Sequence, residues 1–412
     1  MRLKKEWAIA GALELLAVTL ANWQALGGVR TDEAKYLLNI PYPHPPFIRS
    51  LMSMTEQFAF QEFLWRLLLA SLMIQAVWLV WDMTNPERSG AKSKGHLEDR
   101  IMVCAGWLLS SAVLTQAGSI TMAPILAVQT LVFLWMRTRP VDDASRRPAL
   151  VGLWWLTTIF TSYPGVLLFP LVWDVLRRGG RSRQEAALYI FVPVALLALY
   201  TLTNPIAIAI MVVHHNEGMG TGLAAQAMGF GRLWLIGGSA VASVVGTWGI
   251  VACSPSSRSG DRPLLLAFLF MCVFVFFSIT PRYYAILFTP LFAGGLWKVF
   301  HARRHPHVFP LLACLISTSA IFTWFVQPAR VPGPARETMQ AIDAAKASGS
   351  ILIFGTFGHE WQYESRQEIR RYRPEFAKDA AAIVCLNPCE PMFDTSGWRR
   401  LPDLSVEAWA RK

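Results

Sequence analysis

Ala149-Leu-Val-Gly-Leu-Trp-Trp-Leu-Thr-Thr-Ile-Phe-Thr-Ser162-Tyr163-Pro164-Gly-Val-Leu-Leu-Phe-Pro-Leu-Val-Trp-Asp-Val-Leu176 is a 28-residue stretch with one charged side chain, and its reading decides the fold. It is longer than the roughly 17–25 residues a helix needs to cross a hydrocarbon core about 30 Å thick. Ser162, Tyr163 and Pro164 stand at its centre, where proline removes a backbone donor and interrupts a helix. Two short tilted helices, a re-entrant hairpin and one long kinked span are all open from these residues. One span instead of two would move every later loop to the other side of a membrane.

Nine more apolar blocks surround this stretch, at 7–27, 62–82, 101–116, 120–136, 186–203, 232–252, 263–279, 283–300 and 308–326. The whole chain is 54% hydrophobic and 16% charged, against about 25% charged in a soluble globular protein. A bilayer offers no partner for exposed backbone groups, so blocks of this kind fold as helices. Counting 149–162 and 165–176 separately predicts an all-α polytopic membrane domain of about eleven transmembrane helices over residues 1–327.

Loop charge chooses between the arrangements. With eleven spans, 20 lysines and arginines fall in the loops on one side, among them Arg88, Lys92, Arg137, Arg146, Arg177 and Arg181. The opposite loops before the last helix hold Arg30, Lys35, Arg49 and Arg282, with Arg232 at the edge of its block. This asymmetry places the N-terminus in the cytoplasm and the C-terminus outside. It also accounts for the net charge of +11 without nucleic acid, because the basic residues are spread over separate loops and form no single patch. The first block carries Glu14 and lacks a small-x-small cleavage site, so it reads as a retained span and not as a signal peptide.

Residues 328–412 are polar, and Pro328, Pro332 and Pro334 stiffen the exit from the last helix. A helical stretch at 335–348, a buried strand pattern at Ile351-Leu-Ile-Phe354, a polar helical stretch at 361–372 and a second strand near 381–386 predict a small extracytoplasmic α/β domain. Cys385 and Cys389 stand there as C-x-x-x-C, which leaves a disulfide and two free thiols both open. Cys104, Cys253, Cys272 and Cys314 lie in or beside the apolar blocks and read as small buried hydrophobes.

The first external loop, residues 28–61, runs Gly28-Val-Arg-Thr31-Asp32-Glu33-Ala-Lys-Tyr36-Leu-Leu-Asn-Ile-Pro41-Tyr42-Pro43-His44-Pro45-Pro46-Phe-Ile-Arg49 over its first part. Thr31 is expected to cap a short helix whose first turn holds both acids, where the helix dipole favours carboxylates. Ala34, Leu37 and Leu38 give that helix an apolar side suited to a membrane surface, and Pro41 ends it. By themselves the acids would read as an exposed helix start. His44-Pro45-Pro46, twelve residues after Asp32, and the following Arg49 change that reading.

This pattern resembles the GT-C type of membrane glycosyltransferase, and within it the protein O-mannosyltransferases and the aminoarabinose transferases. Those enzymes have an Asp-Glu pair opening the first external loop and, about a dozen residues on, a His-Pro-Pro or x-Pro-Pro turn followed by a basic residue. Asp32, Glu33, His44, Pro45, Pro46 and Arg49 fit it position by position. A weaker echo is Pro281-Arg282-Tyr283-Tyr284 at the entry to a late helix. The chain departs from the family at Tyr42 and Pro43, where the mannosyltransferases usually carry a further acid, and it lacks the metal-binding acid of the aminoarabinose type.

The resemblance implies transfer of a hexose or pentose from a polyprenyl-phosphate donor to a lipid, glycan or protein acceptor at the external face of the membrane. That chemistry needs a base for the acceptor proton and cations for the departing lipid phosphate. Asp32 is the expected base and Glu33 a second catalytic candidate. Arg49 and Arg282 are phosphate candidates because a guanidinium holds two oxygens at once, and His44, Tyr283 and Glu217 complete the expected substrate contacts. His214, His215 and Glu217 are the candidates for a divalent metal, against an ordinary solvated loop. A lipid or solute transporter, or an inactive relative serving as a scaffold, are the alternatives; a transporter predicts charged pairs deep in several spans and duplicated halves, whereas these spans contain few charges and show no duplicated pattern.

Overall fold

The structure, a computed structural model, describes the chain apart from residues 1, 41–44, 86–96, 141–142, 210–211, 213–221, 253–261, 278–281, 303–307, 327–331, 366 and 388–394. It divides into two compact units, one of Met1–Ala21, Pro41–Ile48 and Trp65–Pro328, the other of Asn22–Ile40, Arg49–Leu64 and Ala329–Lys412.

Each apolar block holds helix. The helices are Arg2–Ala25, Gln61–Gln75 with Val77–Met83, Leu97–Leu108 with Ser111–Gln116, Met122–Thr138, Pro148–Thr161, Phe169–Arg178, Arg183–Leu202, Leu223–Ala252, Arg262–Phe277, Thr289–Ala302 and Val308–Val326. Among the described residues, Lys5–Ala25, Gln61–Met83, Arg183–Leu202, Leu223–Ala252 and Tyr283–Phe300 are long and apolar enough to cross a membrane, and four shorter apolar helices accompany them. The chain is an integral membrane protein.

The central stretch is two helices. Pro148–Thr161 ends at Ser162, whose extended backbone (φ −162°, ψ 142°) leads into a 3-10 segment, Tyr163–Leu168, before Phe169–Arg178 begins. Gly165 lies against the end of the preceding helix so closely that a Cβ there would stand 2.8 Å from the Thr158 carbonyl oxygen.

Ion pairs place the helix ends. Asp174 receives Arg137 at 2.6 Å and Arg178 at 2.8 Å. Asp82 pairs with Arg139 and accepts the Trp135 indole N–H at 2.8 Å, while Arg146 donates to the Arg139 carbonyl at 2.9 Å. Burial, and after it the neighbouring Arg178, push the Arg146 guanidinium below its ordinary value. The C-terminal ends of Val77–Met83, Met122–Thr138 and Phe169–Arg178 and the approach to Pro148–Thr161 therefore share one end of the bundle. A single span from 149 to 176 would have put Arg146 and Asp174 at opposite ends.

Two helix breaks meet in the interior. Leu97–Leu108 gives way to Ser111–Gln116 through Ser110, whose hydroxyl caps the new helix by accepting the Val113 N–H at 3.1 Å. Leu223–Ala252 is kinked at buried Ser239, a non-glycine residue at φ 59°. Ser239 Oγ accepts the Ser111 N–H at 3.1 Å and donates to the Leu109 carbonyl at 3.3 Å, so the side chain at one break satisfies backbone groups freed at the other.

Leu223–Ala252 and Thr289–Ala302 approach through glycine. A Cβ at Gly249 would land on the Gly295 carbonyl oxygen, and one at Gly295 on the Gly246 carbonyl oxygen. Small residues let helix backbones pack closely where lipid gives no hydrophobic drive between helices.

The second unit contains a five-stranded sheet in the order β2-β1-β3-β5-β4, with β1 Ser350–Phe354, β2 Ile369–Arg371, β3 Ala380–Cys385, β4 Trp398–Arg400 and β5 Glu407–Arg411. β1 is parallel to β2 and β3, and β5 is antiparallel to β3 and β4. Ile351, Ile353, Ala382, Val384, Ala408 and Ala410 face Met339 and Ile342 of helix Pro334–Ala344. Leu352, Ile383 and Trp398 form the core of the other face, as period-2 alternation requires. The polar helix expected over 361–372 is the shorter His359–Glu364, followed by β2. Cys385 is disulfide-bonded, and Cys389 lies outside the described residues.

Candidate active site

The segment after the first span turns at Gly28 (φ 73°) and enters the helix Thr31–Leu37 through Arg30, which is extended at φ −93°, ψ 162°. The helix carries Asp32 and Glu33 in its first turn. Glu33 is 3% exposed and accepts the Arg30 N–H at 2.9 Å, so it satisfies a donor that the helix start leaves over. The expected cap, Thr31, is instead the first helical residue, and its hydroxyl donates to the Glu360 carboxylate. Ala34 and Leu37 are fully buried, so the expected apolar side is covered by protein.

Asp32 is half-buried and receives Lys35 Nζ at 3.1 Å across one turn. A half-exposed pair at this spacing is worth about 0.2–0.5 kcal/mol, enough to bias the carboxylate's rotamer and too little to bar an incoming hydroxyl. Arg49, in the helix Phe47–Ser53, donates Nη1 to the Ile40 carbonyl at 3.1 Å. The guanidinium thus ties the end of the Asp32 segment to the helix that follows Pro46. His44 of that turn lies outside the described residues, as do His214, His215 and Glu217. Among the described residues no group of three or more His, Cys, Asp or Glu is placed to hold a metal ion.

Arg282 opens the 3-10 segment Arg282–Leu287, and its side chain is outside the described set. Tyr283 and Tyr284 are buried and stacked, their ring centroids 4.9 Å apart, with Tyr284 edge-on to Phe274. Glu14, the acid inside the first span, accepts from Ser71 at 2.5 Å and from Gln75 at 3.1 Å. Gln75 also donates to the Ala10 carbonyl at 3.2 Å. Glu14 therefore joins the first two spans by hydrogen bonds.

The sequence reading gave no role to Arg336, Glu62 and Glu364, nor to Glu360. Arg336 Nε lies 3.0 and 3.1 Å from the two Glu364 oxygens, Nη1 donates to the Ala25 carbonyl at 2.6 Å, and Nη2 reaches Glu62. Burial by itself would lower this guanidinium, and the Glu364 and Glu62 carboxylates overcome that and hold it above its ordinary value. No local pattern marks these three, since their partners come from three separate stretches of chain.

The structure can be laid over ArnT from Cupriavidus metallidurans along its whole length. With the form bound to undecaprenyl phosphate the TM-score is 0.63 at 13% identity, covering 98% of this chain and 98% of that one. The chain has the fold of ArnT. The apo form of ArnT gives the same TM-score at 14% identity, over 100% of this chain and 98% of that one. No protein-family model and no curated protein matches the sequence. The ArnT fold agrees with the GT-C resemblance carried by Asp32, Glu33 and the proline turn. At this identity it carries architecture alone, and residue roles rest on the geometry above.

Proposed function

We propose that the protein transfers a sugar from a polyprenyl-phosphate carrier to an acceptor hydroxyl or amine at the extracytoplasmic face of the membrane. The observation that carries this reading is the end-to-end likeness to ArnT, one of whose structures holds undecaprenyl phosphate. Asp32, on the first helix after the first span, is the general base. The acceptor attacks the anomeric carbon, the bond from that carbon to the phosphate oxygen breaks, Asp32 takes the acceptor's proton, and polyprenyl phosphate leaves with an added negative charge. Arg282 and Arg49 are the cations that lower the energy of that charge. The acceptor is a lipid, glycan or protein.

The donor assignment has a physical reason. The sequence has no glycine-rich phosphate loop, and its longest cytoplasmic loop, at about 83–100, is too short to fold around a nucleotide. Purified protein in lipid nanodiscs, offered a panel of polyprenyl-phosphate hexoses and pentoses, is expected to release polyprenyl phosphate from one of them. Nucleotide sugars are expected to give no transfer when no lipid intermediate is present. Transfer straight from a nucleotide sugar overturns the proposal.

The same reading fixes the sides of the membrane. Single cysteines at Asn39 and Ser396 should react with an impermeant maleimide from outside intact cells, and those at Ala144 and Arg181 only after the membrane is opened. Labelling of Arg181 from outside would reverse the orientation of Phe169–Arg178 and with it the assignment of Arg282.

A further inference from the structure

Within the second unit, the seven residues before Asp32, 25–31, are gripped by the C-terminal segment at four points. Arg336 takes the Ala25 carbonyl at 2.6 Å, and the Gly333 N–H donates to the Gly27 carbonyl at 3.2 Å. The Val29 N–H donates to Glu364 at 3.1 Å, and Thr31 donates to Glu360. Arg336 also spans Glu364 and Glu62, which binds the start of the next span into the same cluster. Gly28 sits inside this grip: at φ 73°, a Cβ would stand 3.0 Å from both Arg336 Nε and Glu364 Oε1. Helix His359–Glu364 then packs directly on helix Thr31–Leu37.

The need for such a grip is legible in the chain. Gly27-Gly28 stands two residues before the Asp32 helix, and glycine loses more conformational freedom on ordering than any other residue. Unheld, this pair is a hinge, and the seven-residue helix beyond it is far too short to be stable by itself. A catalytic group has to be kept within about 0.5 Å of its working position, and a misplacement of about 1 Å can cost 10²-fold in rate.

We propose that the C-terminal segment is a positioning element for the Asp32 carboxylate, with Glu360, acting through Thr31, and the Arg336–Glu364 pair, acting through Gly28 and Val29, as its positioning residues. The proposal rests on the sugar-transfer reading above. Its contacts with residues 25–31 fall on the backbone and on Thr31, so their loss displaces the base while leaving donor-binding groups in place. The effect therefore belongs in kcat.

The test uses full-length protein in nanodiscs with Thr31→Val, Thr31→Ser, Glu360→Ala, Glu360→Gln and Arg336→Met, read by kcat, donor KM and amide hydrogen exchange over residues 29–38. Thr31→Val and Glu360→Ala are expected to lower kcat by about 10- to 100-fold with donor KM within about threefold, and to speed exchange in 29–38. Thr31→Ser and Glu360→Gln keep a donor and an acceptor in place, so they should restore kcat to within about threefold of wild type. Arg336→Met strands two carboxylates and can unfold the unit; Thr31→Val, which deletes one hydroxyl, avoids this. An unchanged kcat in both Thr31→Val and Glu360→Ala overturns the proposal whatever the exchange shows. If wild type transfers no sugar from any lipid carrier, the functional reading fails and exchange alone decides: faster exchange in 29–38 supports the positioning role, and unchanged exchange ends it.

Discussion

Gly249→Ala is expected to destabilise the membrane bundle by about 3 kcal/mol, the upper end of the range for overpacked interiors. The added methyl meets the Gly295 carbonyl oxygen and stands 2.8 Å from a Val299 methyl. A side chain in the way can change rotamer, but a helix backbone cannot, so the helices Leu223–Ala252 and Thr289–Ala302 have to move apart. Gly295 and Gly246 bury their backbones in the same seam, and Phe292 lies against Gly246 and Gly238, so separation at one point loosens a run of contacts. Gly231→Ala supplies the control, because it lies on the same helix with nothing within 4 Å of the added carbon. Thermal unfolding in detergent should show a clearly lower transition for Gly249→Ala and an unchanged one for Gly231→Ala. Equal transitions for the two variants would mean that the seam is not packed as described.

The parts of this fold that were legible in the sequence are those governed by local chemistry. Apolar length marked the long helices of the membrane unit, and Ser162-Tyr163-Pro164 marked the break between Pro148–Thr161 and Phe169–Arg178. Loop charge predicted which helix ends share a side, and the Asp174 and Asp82 ion pairs gather those ends. The kink at Ser239 was not legible, because its cause is a hydroxyl meeting the freed backbone at Leu109 and Ser111, far away in sequence. β4 and β5 escaped notice because their outward residues are arginines and a glutamate, and only pairing with β3 makes them strands. At the candidate site, the helix bearing Asp32 and Glu33 was readable from the acids. Thr31 was misread because a cap assignment weighs only neighbours along the chain, whereas its hydroxyl is taken by Glu360. Arg336 was invisible for the same reason: nothing near it in sequence announces Glu62 or the Ala25 carbonyl.

Asp32→Asn should cost about 10²- to 10⁴-fold in the rate of sugar transfer, the usual contribution of a general base, while leaving the protein folded. The substitution keeps the shape of the side chain and its place in the first turn of Thr31–Leu37, and removes the proton acceptor. Its structural price is small. Asp32 is partly solvated and pairs across one turn with Lys35, and such exposed pairs contribute about 0–1 kcal/mol. Glu33→Gln separates the two acids. Glu33 is buried and its carboxylate accepts the Arg30 N–H; glutamine retains an oxygen for that bond and gives up a favourable charge at the helix start, worth about 0.3–1 kcal/mol. That change should therefore appear mainly as a modest loss of stability, with transfer reduced far less than in Asp32→Asn. Measured side by side with a saturating polyprenyl-phosphate donor, the two variants assign the base. Asp32→Asn activity within a few-fold of wild type eliminates Asp32, and a collapse of activity in Glu33→Gln at unchanged stability would transfer the role to Glu33.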